Sequence, residues 1–341
     1  MLDTLKTLCA LDGVTGNEEK VRDYIKSEIS PYADDIRVDA MGNLIAFKKG
    51  AKHPEKTVML AAHMDEVGVI VTSITDDGYL KFACAGGIDR RVLIGKEVWI
   101  GENRVYGVIG NKAIHLVKAD ERAKIPKVDD MFIDIGASSK ENAEKLVSLG
   151  DTGAFKNTVF EYGDGMLKAK AIDDRVGCAV MIDILKTDLA YDTYFVFTVQ
   201  EEVGTRGALA ASFSVKPDLA IICEGTTAAD MPDVKGEKKI CTPGKGVVVP
   251  FMDRGTIYTR DLHQKIIRLA DEIGIRWQTK TMIAGGTDAS AIQRSNAGVR
   301  VCGIAAAIRN IHTPASTASI DDIMQMRNLV GLLLENAEAL L

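Results

Sequence analysis

The spacing of apolar and polar positions divides the chain into segments with either helical or strand-like periodicity. Residues 2–11 have helical spacing and lead into a glycine-containing turn at residues 12–16. Asn17 is predicted to be the N-cap of a second helix, because apolar residues recur at helical intervals behind it. The wholly apolar run at residues 58–62 is typical of a strand that is buried on both faces.

A different pattern begins after Gly68 and continues to about residue 163. Short strand-like runs alternate there with glycines, and one helix is expected near residues 141–147. Helical and strand-like segments alternate again from Asp173 onward, with helices expected at residues 174–185, 205–212 and 261–273 and strands at 194–199, 219–223 and 299–303. The chain ends in a predicted helix whose apolar residues fall on one face: Ile323, Met326, Val330 and Leu333.

The order of these segments predicts the fold class. Alternating helices and strands favour an α/β fold, in which a mostly parallel sheet is flanked by helices. The glycine-punctuated stretch predicts a small β-rich domain inserted into that fold. We therefore expect residues 1–68 and 164–341 to form one domain and residues 69–163 to form the insertion.

Composition and charge exclude several classes of protein. The 341 residues are 46% hydrophobic and 26% charged, as in ordinary soluble domains. The net charge is −6 and both signs are mixed along the chain, so neither a nucleic-acid surface nor a membrane-binding patch is expected. There is no signal-peptide pattern and no run of about 20 apolar residues. Six scattered cysteines without a C-x-x-C pair indicate reduced thiols and a cytoplasmic protein.

Acidic and imidazole groups follow three of the predicted strands. His63 and Asp65 come after the first, Glu201 and Glu202 after the second, and Glu224 after the third. The carboxyl ends of parallel strands share one edge of a sheet, where α/β folds bind ligands. Each residue alone is weak evidence, since an acid at a strand end is usually a solvated turn residue. Together these carboxylates would repel one another, and a bound cation would remove that conflict.

Two further residues complete a plausible set of metal ligands. Asp173 either bridges two ions with its two oxygens or caps the helix that follows it. His312 lies in a predicted turn before the last helix and offers a second ring nitrogen. In the pair His63 and Asp65, the carboxylate can orient the imidazole. Mixed nitrogen and oxygen ligands favour Zn²⁺, Co²⁺ or Mn²⁺ over Ca²⁺ or Mg²⁺.

Glu201 and Asp288 are acidic residues for which we expect roles other than metal binding. Glu201 and Glu202 are neighbours, so their side chains should diverge along an extended chain, and one can bind metal while the other reaches a water. Asp288 belongs to a Gly-Gly-Thr-Asp segment, which is either a turn that opens a helix or part of a substrate site. The role of His115, within the predicted insertion, stays open between structure, interface and catalysis.

Six motifs occur in the order found in one known family of peptidases. They are HMDE (63–66), AIDDRVG (171–177), VQEEVG (199–204), CEGTT (223–227), GGTDA (285–289) and RNIHTP (309–314). The chain resembles the M42 family of metallo-aminopeptidases, and the resemblance extends from residue 2 to the final helix. It implies a zinc-peptidase-like α/β domain with an inserted β domain that drives assembly. It also implies a tetrahedral homo-oligomer of twelve subunits that removes N-terminal residues from peptides.

The same resemblance implies a role for each candidate residue. One metal ion would be bound by His63, Asp173 and Glu224, and a second by Asp173, Glu202 and His312. Many relatives have aspartate at the position of Glu224, and the longer glutamate would change the geometry of metal binding and the metal preference.

The resemblance also implies how the reaction would proceed. Glu201 would be the general base for a water that bridges two divalent ions, with Zn²⁺ or Co²⁺ preferred and Mn²⁺ as a third option. Asp65 would orient the ligand His63. Asp288 would lie near the substrate.

Other functions would place different requirements on these residues. A deacylase or a carboxypeptidase-like enzyme would use a similar two-metal site on a different substrate. A glycosidase requires two carboxyl groups at least about 5 Å apart, and it leaves His63 and His312 without a role. A non-enzymatic scaffold predicts that Glu201 can be replaced without consequence, and it gives the ligand set no use.

Overall fold

The helices of the protein follow the predicted periodicities closely. The computed structural model describes residues 1–120 and 122–341. Within these residues the α-helices are α1 (Leu2–Ala10), α2 (Glu19–Ile29), α3 (Arg90–Leu93), α4 (Lys140–Glu144), α5 (Ile172–Leu185), α6 (Arg206–Val215), α7 (Arg260–Glu272), α8 (Ala289–Gln293), α9 (Ile320–Glu335) and α10 (Ala337–Leu340). None of the described helices is long and apolar enough to cross a membrane.

The strands form one large sheet and one barrel. The large sheet contains β1 (Asp35–Val38), β2 (Leu44–Lys48), β3 (Val58–His63), β10 (Phe160–Tyr162), β11 (Met166–Ala169), β12 (Thr193–Thr198), β13 (Leu219–Thr227), β14 (Val247–Val248), β15 (Trp277–Gln278), β16 (Arg300–Arg309) and β17 (Ser316–Ser319). The barrel contains β4 (Gly68–Ile74), β5 (Leu80–Ala85), β6 (Glu97–Ile100), β7 (Val105–Gly110), β8 (Phe132–Asp134) and β9 (Thr152–Phe155).

The centre of the large sheet is parallel and its margins are antiparallel. Strands β12, β3, β13 and β16 lie side by side in parallel register, whereas β1, β2, β17, β11 and β10 pair antiparallel outside them. The predicted α/β class with a helix-flanked sheet and a smaller β-rich unit is confirmed. Parallel pairing is concentrated in the four central strands, whose carboxyl ends therefore meet at one edge.

Helices cover both faces of the large sheet, which explains the apolar run at residues 58–62 in β3. Val58, Leu60 and Ala62 pack into a core that includes residues of α1, α2, α5, α7 and α9. Met59 and Ala61 point the other way, into a core shared with α6 and α8. Successive side chains on a strand alternate between faces, so a strand with helices on both sides has no polar face.

The closed barrel has its own apolar core, which includes Val69, Val71, Leu80 and Phe82. All six barrel strands lie between residues 68 and 155. The next strand, β10, pairs with β11 in the large sheet, although the predicted insertion extends to residue 163.

Two local expectations were not met. Asn17 is not a helix cap, because α2 has Glu18 at its N-cap position and the Asn17 side chain donates a hydrogen bond to the Thr152 hydroxyl in the barrel (2.9 Å). Strand β17 was not predicted from the sequence, and it separates the turn containing His312 from the last helix.

Candidate metal centre

The candidate ligands lie at the carboxyl edge of the four parallel strands. His63 is the last residue of β3, and Glu224 lies in β13, which continues beyond the predicted strand end. Glu201 and Glu202 lie in the turn after β12, and His312 lies in the turn after β16. The sheet therefore brings together residues that are far apart in sequence.

The start of α5 delivers Asp173 to the same edge. Asp173 and Asp174 have non-helical backbone angles, and Asp173 makes no hydrogen bond that caps the helix. Asp174 does so instead, because its Oδ1 accepts from the Gly177 amide (2.9 Å) and its Oδ2 accepts from the His63 amide (3.2 Å). Asp174 is thus engaged with the backbone, whereas Asp173 Oδ1 is buried and has no hydrogen-bond partner among the described residues.

Asp173 lies between two imidazoles, each of which also faces a second carboxylate. His63 Nε2 is 3.4 Å from Asp173 Oδ1 and 3.4 Å from Glu224 Oε1. On the other side, His312 Nε2 is 3.4 Å from Asp173 Oδ2 and 3.3 Å from Glu202 Oε2. The structure therefore contains two adjacent groups of donors that share Asp173.

The other ring nitrogen of each imidazole contacts a main-chain oxygen. His63 Nδ1 is 3.1 Å from the main-chain oxygen of Asp65, and His312 Nδ1 is 2.7 Å from the main-chain oxygen of Gly87. With Nδ1–H donating to a carbonyl, a neutral imidazole directs the lone pair of Nε2 at the carboxylates. That arrangement is stable only with a proton or a cation between them, and oriented ring nitrogens of this kind are typical of metal ligands.

The pKa values of the two histidines reflect the same charge imbalance. Burial alone would lower the pKa of His63, but Glu224, Asp173 and Asp65 raise it well above its usual value. Burial likewise opposes the shift at His312, yet Asp173 and Glu202 raise its pKa to about 9. The carboxylates therefore attract positive charge to both ring nitrogens.

The distances fit a divalent ion better than a direct ion pair. Charge-assisted hydrogen bonds are usually about 2.7–2.9 Å long, shorter than any of the four separations above. Ligands about 2.0–2.1 Å from a tetrahedral ion are about 3.3–3.4 Å apart, which is the spacing found here. His63, Asp174 and Glu224 are also close enough to share an ion, but both Asp174 oxygens already bind backbone amides. The donors around Asp173 thus form a possible site for divalent metal.

Glu201 lies at the same edge of the sheet but belongs to neither of these two groups of donors. Burial raises its pKa well above the usual value, and the charges of Glu224, Asp288 and Glu202 act in the same direction. Asp288 is 1% exposed, and its Oδ2 accepts a hydrogen bond from the Thr198 hydroxyl (2.5 Å). Its Oδ1 is buried without a partner among the described residues.

Asp65 has a contact that the sequence did not reveal. Its Oδ1 accepts from the Glu201 amide (3.0 Å) and its Oδ2 from the Glu202 amide (3.1 Å). The carboxylate that faces His63 therefore also fixes the turn after β12. His115 lies exposed in a short 3₁₀ helix (Ile114–Leu116), outside the groups of donors described above.

The chain is similar to known aminopeptidases in sequence. The sequence matches the family described as M42 glutamyl aminopeptidase over residues 42–329. It is 32% identical to a lysyl aminopeptidase of Pyrococcus furiosus, over 98% of this chain and 96% of the relative.

Solved structures show the same fold. One is the TET aminopeptidase of the marine sediment archaeon Thaumarchaeota archaeon SCGC AB-539-E09, with a TM-score of 0.94 and 34% identity over 100% of this chain and 98% of that chain. Another is PhTET1-12s, a dodecamer in the asymmetric unit, with a TM-score of 0.86 and 34% identity over 98% of each chain.

The role of Asp173 in both groups of donors can be tested by metal analysis. We expect Asp173→Asn to lose divalent metal from both groups of donors, because the amide keeps the shape but removes the bridging charge. His63→Ala and His312→Ala should each weaken one group first and retain roughly half of the bound metal. The measurement is metal content per subunit after chelation and reloading, with the exposed His53→Ala as control. Undiminished metal in Asp173→Asn would rule out the bridging role.

Proposed function

This chain belongs to the M42 glutamyl aminopeptidase family, and from that premise we propose that the centre around Asp173 hydrolyses the first peptide bond of a peptide. The protein is an aminopeptidase, as its relatives are. The observation that supports the assignment of the site is the pair of imidazoles, His63 and His312, which face carboxylates on the two sides of Asp173.

Two divalent ions would be held at this centre. His63, Asp173 and Glu224 would bind one, and Asp173, Glu202 and His312 would bind the other. Ions bound there would polarise the scissile carbonyl and lower the pKa of water. The mixed nitrogen and oxygen donors favour Zn²⁺ or Co²⁺, with Mn²⁺ as a third option.

Glu201 is proposed to be the general base. It would accept a proton from the attacking water and return it to the leaving amine. Its raised pKa supports this role, because burial makes the carboxylate a stronger base than that of an exposed glutamate. Asp65 would act through the backbone, since it binds the amides of Glu201 and Glu202 as well as facing His63.

Asp288 is proposed to contribute to substrate binding. The charge of its buried carboxylate, next to Glu201, would favour the positively charged amino terminus of a peptide bound nearby. A preference for free amino termini would also separate this enzyme from a deacylase, a carboxypeptidase or a glycosidase. The free cysteines are consistent with action in the cytoplasm.

The different roles of the two neighbouring glutamates can be tested with one conservative change at each. We expect Glu201→Gln to keep its metal, because Glu201 is not a proposed ligand, and to lose turnover by about 10²–10⁴-fold, the usual contribution of a general base. Glu202→Gln should lose activity together with bound metal. The measurements are metal content and steady-state kinetics on an aminoacyl substrate, for both variants in parallel. Normal turnover in Glu201→Gln, or equal loss of metal in both variants, would show that base and ligand are wrongly assigned.

We also propose that the chain assembles into a homo-oligomer of twelve subunits through residues 69–163. A dodecameric relative with 34% identity supports this number. The insertion also exposes large apolar side chains, including Tyr106 (43%), Ile114 (67%) and Leu149 (64%), and exposed apolar surface is typical of interfaces. None of the proposed metal ligands lies in this stretch.

The assembly can be tested by light scattering. We expect a species far heavier than the 36.8 kDa subunit. Leu149→Glu should reduce the mass of the assembly, because a charge buried in an interface destabilises it. Leu209→Glu should leave that mass unchanged, because Leu209, which is 54% exposed, lies outside the insertion. A fully active monomer of the unaltered protein would contradict the proposal.

A further inference from the structure

The turn that follows β12 has an unusual backbone. Gln200 has φ +57°, in the left-handed region that non-glycine residues seldom adopt. It immediately precedes Glu201 and Glu202, the proposed base and the proposed ligand. Left-handed residues at such places persist only when the surroundings hold them, because the conformation costs free energy.

Side chains from three other segments hold this turn through its amides. Asn43 Oδ1 accepts from the Val199 amide (3.0 Å) and Glu18 Oε1 accepts from the Gln200 amide (3.2 Å). The next two amides, those of residues 201 and 202, donate to Asp65, as described above. Four consecutive amides are thus bound by side chains rather than by a neighbouring strand.

Glu18 is the least expected member of this group. It occupies the N-cap position of α2, yet its carboxylate does not cap the helix. Its Oε1 accepts instead from the Gly16 amide (2.7 Å) and from Gln200, so it connects the turn before α2 to the turn after β12. The residue is 4% exposed, and burial raises its pKa to about 7. Burying a carboxyl group is unfavourable unless hydrogen bonds offset the cost, and one of the two hydrogen bonds of Glu18 comes from the turn with the proposed base.

We propose that Glu18 is a positioning residue for the peptidase reaction, which fixes the left-handed Gln200 and thereby aims Glu201 and Glu202. The inference rests on the roles proposed above for those two glutamates. A single oxygen of Glu18 accepts hydrogen bonds from both amides. The length of the side chain therefore decides whether it can hold the turn, and its charge does not.

Two substitutions separate reach from charge. Glu18→Gln keeps an acceptor oxygen at the same distance from the backbone and removes the charge. Glu18→Asp keeps the charge and is a favourable N-cap for α2, so the variant should fold, but its shorter side chain cannot reach Gln200 from the same position. Glu19→Ala, at the exposed neighbouring position, serves as the matched control.

We expect Glu18→Asp to lower kcat on the order of 10- to 100-fold, with KM changed far less, because supporting contacts of a metal centre usually have effects of that size. Hydrogen exchange of the peptide that spans residues 199–204 should become faster in the same variant. Glu18→Gln and Glu19→Ala should match the unaltered protein in both measurements. This combination is not expected from general destabilisation, which would accelerate exchange throughout the chain.

Two results would overturn the proposal. One is wild-type kcat and wild-type exchange in Glu18→Asp. The other is equal impairment in Glu18→Gln, because an acceptor oxygen at the same reach would then be insufficient to hold the turn. Failure of the proposed function would look different. An unaltered protein that binds no divalent ion, or normal turnover in Glu201→Gln, would remove the proposed chemistry, and the exchange measurement would still show whether Glu18 holds the turn.

Discussion

Repulsion among buried carboxylates is the constraint on which the site depends. Asp173 and Glu224 both face His63, and Asp173 and Glu202 both face His312, at a place where little water remains to screen the carboxylate charges. The two histidines can balance this charge by taking up protons, and the raised pKa of each shows that tendency. Divalent ions would balance it at the same positions and release those protons. Binding of cations should therefore stabilise the folded chain as well as supply its chemistry.

A second cluster of buried charges lies next to the segments that contain the proposed ligands. Lys170 Nζ lies 2.6 Å from Glu66 Oε1 and 3.0 Å from Asp12 Oδ1, and the Arg175 guanidinium lies 3.5 Å from Glu66. Buried ion pairs add little net stability, but removing one partner leaves an uncompensated charge. This cluster connects the segment after β3 to the segment that contains Asp173. It thereby fixes two segments that contain proposed ligands relative to each other, as a metal site would require.

Local signals explain how much of the structure could be predicted from the sequence. Periodicity located the starts of the longer helices and of the four central parallel strands to within a few residues. The order of those strands explained why distant acidic residues meet. Contacts between segments distant in sequence could not be predicted in this way. Glu18 binds the Gln200 amide across 182 positions, and no local pattern specifies the left-handed backbone there. Asn17 has the signal of a helix cap, but its contact with Thr152 in the barrel outweighs that signal.

We propose that Asp173 lies between two bound cations. Anomalous X-ray diffraction from crystals of the Zn²⁺-loaded protein, recorded on both sides of the zinc absorption edge, tests it most directly. We predict two peaks about 3.5–4 Å apart, as in other two-metal hydrolases. One peak should contact His63 and Glu224, the other His312 and Glu202, and both should contact Asp173. A single peak, or two peaks that do not share Asp173, would contradict the account.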